Sequence, residues 1–197
     1  MAKLYLQRHL KSQWNKENRF TGWTDVPLSE EGIASAPKVA QLLSGTDIDL
    51  VYTSPLKRNK ETVSLILKNL GKENLTIIAD KSLDERNYGE ITGLNKDEVK
   101  KKFGEETVQI WRRSYDQAPP GGESGKDVYE RVVPFFKENI EKNLKEGKNV
   151  LVVASHNSLR AVIKYIENIP DEKFSEIEIP FGGMVRYEFD EGKYKRL

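Results

Sequence analysis

The chain has 197 residues, with 32 Lys and Arg against 31 Asp and Glu, a formal net charge of +1 and no cysteine. That length fits one domain whose core needs no disulfide or structural metal. The charge balance argues against nucleic acid or an anionic membrane as partner, and the lack of Cys excludes thiolate nucleophiles, Cys-ligated zinc and iron–sulfur clusters.

Met1 to Leu6 reads as a short strand running straight into charged residues at Arg8-His9. It lacks a signal-peptide apolar core, and no later apolar run nears the ~18 residues of a bilayer span, so a cytoplasmic protein without membrane contact is expected. The polar, aromatic stretch from Lys11 to Leu28 is too long for a plain connection and is expected to be functional. Ser29-Glu30-Glu31-Gly32 opens a helix in which Ile33, Val39, Leu42 and Leu43 can share a face. Leu50–Thr53 is a second strand, the stripe Thr62 to Leu70 a second helix, and Leu75–Ala79 a third strand.

From Asp84 to Glu123 glycines and Pro119-Pro120 interrupt the chain, with two short helical pieces, one over Lys96–Phe103. This segment, about 84–124, is expected to form a cap rather than a second domain. Val128 to Leu144 is a long amphipathic helix that Pro134 should kink or restart. Val150–Ala154 is the most apolar run and reads as a buried central strand. Ser158 to Ile169 returns as a helix, and Met184–Phe189 alternates like an edge or antiparallel strand. The alternation predicts one α/β domain over 1–197, three-layered, with a mostly parallel central sheet flanked by helices.

The only two histidines, His9 and His156, each lie just past a buried-looking strand, where such folds collect their ligands. Arg8 adjoins the first, and Arg160 follows four residues after the second. The cationic neighbours oppose a metal site, and no ligand spacing supports one. A neutral imidazole can instead attack a phosphoryl group whose oxygens arginines hold. Arg58 follows the second strand at the same sheet edge. Glu85 follows the third and is the positional candidate for a general acid. Trp111-Arg112-Arg113 could clamp a second acidic group of a small substrate.

These residues also carry a resemblance. Arg8-His9, the run Ser12 to Trp23 (SQWNKENRFTGW), Thr53 to Arg58 (TSPLKR), Leu83 to Gly89 (LDERNYG), Gly93 to Lys96 (GLNK), Trp111 to Arg113, Pro119 to Ser124 (PPGGES) and Asn157 to Ala161 (NSLRA) resemble the cofactor-dependent phosphoglycerate mutases of the histidine phosphatase superfamily. The likeness covers essentially the whole chain. The WNKENRFTGW block, the GLNK segment and the WRR pair carry more specificity than Arg-His. The resemblance implies that His9 becomes phosphohistidine, with Arg8, Arg58 and His156 around the phosphoryl and Asn15 bonded to it. It implies Glu85 as acid–base, and Thr21, Gly22, Tyr88, Lys96, Arg112, Arg113 and Asn157 on the carboxylate and far phosphate. The implied reaction interconverts 3-phosphoglycerate and 2-phosphoglycerate in glycolysis and gluconeogenesis, primed by 2,3-bisphosphoglycerate and without a metal. A homodimer or homotetramer is implied too. A phosphohistidine phosphatase and an inactive phosphoglycerate-binding homologue are the alternative readings.

Two positions depart from the family. Leu10 stands where the family has glycine after the histidine, which would bring a bulky side chain beside the nucleophile. Counting back from Asn157, Ser155 stands at the second histidine's place and His156 at the following glycine's. Either a bulge in the preceding strand returns His156 to the phosphoryl, or Ser155 occupies the histidine's place. The paired changes favour a co-adapted site in which His156 remains the second histidine.

Overall fold

A computed structural model describes residues 1–197. Six strands, β1 (Ala2–Arg8), β2 (Leu50–Thr53), β3 (Thr76–Ala79), β4 (Val150–Ala154), β5 (Met184–Asp190) and β6 (Lys193–Arg196), form one sheet in the order β3-β2-β4-β1-β5-β6. The first four in that order are mutually parallel, while β5 runs antiparallel to β1 and β6 to β5. The final strand is absent from the sequence reading, because Lys193-Tyr194-Lys195-Arg196 carries the charge typical of a solvated edge. It makes β5 an interior strand.

Alternation along the central strands explains why they are apolar throughout. Leu4, Leu6, Leu50, Tyr52, Val150, Val152 and Ala154 face one core, and Tyr5, Val51, Leu151 and Val153 face the other. Helices cover both sides, as a parallel sheet requires. The first core takes in α6 (Gly125–Phe135) and α8 (His156–Glu167), and the second takes in α2 (Glu30–Gln41) and α3 (Lys57–Leu70). The remaining helices are α1 (Gln13–Lys16), α4 (Lys96–Phe103), α5 (Glu105–Arg113) and α7 (Lys142–Lys145). A separate small cluster of Phe20, Ile91, Val99 and Val108 holds α4 and α5 together with the segment before α2.

The long helix expected around Pro134 does change character there. After α6 the chain makes a π-helical turn over Phe136–Glu141 before α7, since proline has no N–H to continue the ladder.

The face of α2 differs from the expectation. Gly32, Ala36 and Ala40 are buried, whereas Ile33 and Leu42 are 48% and 44% exposed. The small residues let the helix touch backbone directly: a Cβ on Gly32 would stand 2.2 Å from the Lys11 carbonyl oxygen. Ser29 caps the helix by accepting from the Gly32 N–H (3.1 Å) and donates to that same Lys11 carbonyl (3.0 Å). Gly32→Ala is therefore expected to lower stability by roughly 1–3 kcal/mol, the cost of overpacking, as read from urea unfolding. An unchanged midpoint would mean that α2 slides freely.

Topology creates the site. The connection from β1 crosses to β2 on one side, and that from β4 leads to β5 on the other, so a crevice opens beyond their carboxyl ends. This is the switch point at which α/β folds bind ligands.

Candidate active site

The crevice is a partly open, mostly polar pocket. It is lined by Arg8, His9, Asn15, Arg19, Phe20, Thr21, Gly22, Arg58, Glu85, Tyr88, Lys96, Arg112, His156, Asn157 and Phe181. Twelve of the thirteen residues expected from the sequence are among these. Arg113 is the exception.

His9 continues the β1–β4 ladder by donating its N–H to the Ala154 carbonyl (3.1 Å). Its ring is 2% exposed, with Nδ1 2.6 Å from the Leu10 carbonyl oxygen. A carbonyl only accepts, so Nδ1 carries the proton and Nε2 keeps its lone pair. Burial, then the charges of Arg58 and Arg8, hold the imidazole far below its usual pKa. It is a neutral nucleophile at physiological pH.

Leu10 is turned away from this ring. It is buried with Leu28 and Ala36 against α2, so the expected crowding of the nucleophile does not occur. Alternation at the strand end sends consecutive side chains to opposite sides.

The second departure resolves in register. β4 pairs without interruption to Ala154 opposite Arg8 and to Val153 opposite Thr53, so no bulge shifts His156. Ser155 stands at the N-cap position of α8 without a side-chain cap bond, buried and with its hydroxyl 3.5 Å from Arg58 Nη2 and 3.3 Å from Asn59 Nδ2. His156 is the first helical residue, and its Nε2 lies 3.4 Å from the Ile179 N–H and 3.3 Å from Glu178 Oε2. That nitrogen serves the 178–179 segment, while the residue lines the pocket. Burial, then Arg160, Arg8 and Arg113, also depress its pKa strongly.

Both depressed histidines tie stability to pH. The unfolded chain takes up protons near pH 6.5 and the native state does not, so stability is full above that pH and falls below it. Each histidine contributes a slope of about 1.4 kcal/mol per pH unit. Urea unfolding from pH 8 to 5 checks this, and His156→Asn should halve the slope.

The cations are held by backbone. Arg58 donates from Nη2 to the Gly22 carbonyl (2.8 Å) and from Nη1 to that of Thr24 (3.1 Å). Gly22 adopts φ +54° to present its carbonyl there. Arg8 donates from Nη1 to the Ile179 carbonyl (2.6 Å), and its buried Nε has no protein partner. Lys96 is pushed down to about 8 by burial, with Arg112 and Arg8 adding. Arg113 lies outside, with Nη1 bonded to Glu178 and to the Ser175 carbonyl (3.3 Å). As the last residue of α5 it follows Arg112 by about 100° of helix rotation, so the two cannot face one way.

Asn15 closes a capping box on Ser12: its Oδ1 accepts from the Ser12 N–H (3.1 Å) and hydroxyl (2.8 Å). The amide Nδ2 is thereby left for the pocket. Glu85 Oε1 accepts from the Arg86 N–H (2.7 Å) and Asn157 Nδ2 (2.9 Å). Burial alone would raise its pKa, but the Arg86 N–H, Arg58, Asn157 and Arg8 outweigh it and keep the carboxylate below the ordinary value. Tyr88 Oη stands 3.4 Å from Asn157 Nδ2. Thr21 Oγ1 and Asn157 Oδ1 are buried without a protein partner.

Arg19, Phe20 and Phe181 line the pocket without having been singled out in the sequence. The first two lie in the WNKENRFTGW block. Phe181 lies in the Pro180-Phe181-Gly182-Gly183 turn, where a proline–glycine cluster ahead of the last strands was the available signal.

Fold and site together define an α/β enzyme built to handle phosphoryl groups. The histidine phosphatase superfamily (branch 1) matches residues 4–197. A phosphoglycerate mutase of Schizosaccharomyces pombe is 46% identical over 194 residues, covering 97% of this chain and 92% of that protein. A 2,3-bisphosphoglycerate-dependent phosphoglycerate mutase of Parvibaculum lavamentivorans is 43% identical over 190 residues, covering 95% and 90%. Among solved structures, Bacillus stearothermophilus YhfR superposes with TM-score 0.88 at 25% identity, covering 100% of this chain and 95% of that one. A mycobacterial glucosyl-3-phosphoglycerate phosphatase gives 0.88 at 23% identity, covering 100% and 97%, and shares the fold. This chain belongs to the histidine phosphatase superfamily and, within it, to the phosphoglycerate mutase family.

Proposed function

We propose that the chain interconverts 3-phosphoglycerate and 2-phosphoglycerate through a phosphohistidine at His9. The observation that carries this reading is the bare Nε2 of a neutral His9 set among Arg8, Arg58 and Lys96. The mutase names of its relatives support it.

His9 Nε2 carries the phosphoryl, with Arg8 and Arg58 on its equatorial oxygens and Asn15 Nδ2 donating to it. Thr21, Gly22, Tyr88, Lys96, Arg112 and Asn157 hold the carboxylate and far phosphate, and His156 lines the same space. With 3-phosphoglycerate bound, its 2-hydroxyl oxygen forms a bond to phosphorus as the P–N bond breaks. The electron pair returns to Nε2, and Glu85 takes the hydroxyl proton. In the return transfer Nε2 attacks the other phosphoryl group, and Glu85 gives its proton to the departing oxygen. Arg113 is assigned only the rim, through its pairing with Glu178.

The unpartnered Arg8 Nε and Thr21 Oγ1 suit an acid bearing two phosphates, and 2,3-bisphosphoglycerate supplies the phosphoryl group that charges His9. No metal enters this scheme. Residues 84–124, with their own apolar cluster, act as the cap over the bound acid. The reaction is placed in the cytoplasm, and no helix is long and apolar enough to cross a membrane. The protein works as a homodimer or homotetramer, and the free edge of β3, with Ile77 and Ile78 exposed, is a candidate contact.

The test is an assay of 3-phosphoglycerate with and without trace 2,3-bisphosphoglycerate, in chelator, following 2-phosphoglycerate and inorganic phosphate together. Primed, chelator-resistant isomerisation with little phosphate is expected. Phosphate release without isomerisation would replace the mutase reading with a phosphatase, and silence in both channels with a binding protein.

A further inference from the structure

The pocket is almost wholly polar, yet one aromatic ring flanks its nucleophile. Phe181 lies with its ring centroid 5.8 Å from that of His9, and the Arg8 guanidinium carbon stands 3.8 Å from the same centroid. The residue is 39% exposed, so the ring lies at the mouth, between solvent and the imidazole. Phe20, the other phenylalanine of the lining, is fully buried against Tyr88 and does not adjoin His9.

The backbone bearing Phe181 is fastened to the strand that bears His9. The Gly182 N–H donates to the His9 carbonyl (3.2 Å), the Arg8 N–H donates to the Gly183 carbonyl (3.0 Å), and Gln7 Nε2 donates to the Gly182 carbonyl (3.0 Å). Arg8 Nη1 ties down Ile179 as well. Gly182, at φ +69°, packs so closely that a Cβ would stand 3.2 Å from Leu10 Cδ2 and 2.8 Å from Val39 Cγ2. Leu10 is therefore the floor beneath this strap, which accounts for a bulky residue next to the nucleophile. A ring on a strap this constrained holds its place while the pocket fills and empties.

A phosphohistidine has two competing acceptors, a phosphoglycerate hydroxyl and water. We propose that Phe181 is the wall that keeps water from the phosphoryl group on His9 and so sets its division between isomerisation and hydrolysis. This rests on the phosphohistidine reading above. In the hydrolytic step a water oxygen forms the new P–O bond and the P–N bond breaks, its electron pair returning to Nε2. Glu85 takes the water proton and inorganic phosphate leaves. An apolar ring beside the P–N bond denies that water a hydrogen-bonded position, while its face favours the Arg8 charge.

The experiment charges the full chain with radiolabelled 2,3-bisphosphoglycerate, removes the donor, and follows loss of protein-bound label into inorganic phosphate. Phe181→Ala should shorten the label's lifetime about tenfold or more, equivalent to ~1.4 kcal/mol of barrier, while kcat for isomerisation changes less. Phe181→Leu, which keeps apolar bulk without a ring, should restore most of the lifetime. An unchanged lifetime in the alanine variant overturns the proposal. Equal loss of isomerisation and hydrolysis with a raised KM overturns it too, because the ring would then only steady Arg8. A wild-type chain that takes label but does not isomerise 3-phosphoglycerate defeats the mutase reading alone, and the lifetime comparison still decides the role of Phe181. A wild-type chain that takes no label defeats both.

Discussion

His9→Ala is expected to abolish covalent label and isomerisation together, with turnover falling by at least about four orders of magnitude, the scale of losing a covalent nucleophile. The reason is chemical rather than electrostatic. His9 is neutral, so its removal leaves Arg8, Arg58, Lys96 and Arg112 with their charges and most of their anchors. Binding of 3-phosphoglycerate should stay within severalfold of wild type when measured by calorimetry. Retained turnover would sink the phosphohistidine scheme at His9, whose bare Nε2 stands among Arg8 and Arg58.

Glu85→Gln is expected to slow isomerisation by about 10²–10⁴-fold, the usual contribution of a positioned proton carrier. The amide oxygen can keep accepting from the Arg86 N–H and from Asn157, so geometry survives while proton transfer is lost. The wild-type carboxylate sits below the ordinary range. It is therefore ionised through neutral pH, and its protonation impairs the rate only on the acid side of the ordinary carboxylate range. The variant should lose that acid limb as well as the rate. A variant with near-normal kcat would move the proton-carrying role elsewhere, and unchanged thermal unfolding would show that the loss is not structural.

Strand and helix alternation was readable because the parallel strands are apolar on both faces and the helices amphipathic. The α2 face was misread for a physical reason. Hydrophobic ranking marks Ile33 and Leu42, but Gly32 meets the Lys11 backbone and Ala36 and Ala40 pack in the apolar clusters beneath the helix, so the small residues face inward. β6 escaped notice because an outermost strand needs no apolar face.

In the site, His9, Arg58, Glu85 and His156 were legible from position, each following a parallel strand at the same sheet edge, with Arg8 adjoining His9. Arg112 was a candidate clamp for a second acidic group, whereas Asn15, Thr21, Gly22, Tyr88, Lys96 and Asn157 came only with the resemblance, since spacing does not say which loop folds over a crevice. The sense of the Ser155-His156 change was illegible for another reason. Two adjacent residues at a strand end point to different sides, and only the unbroken register of β4 against β1 and β2 shows which is which.

By itself, then, the sequence determined the α/β class, the family and a reactive histidine among arginines. Those properties reside in local periodicity and in motifs that survive being read in one dimension. Tertiary structure alone decided that Arg113 turns to Glu178, that Leu10 supports a strap instead of crowding the nucleophile, and that Phe181 flanks His9. Each depends on segments more than 60 residues apart in the chain or on which side of a strand a side chain leaves, and burial and register settle both only when the sheet closes.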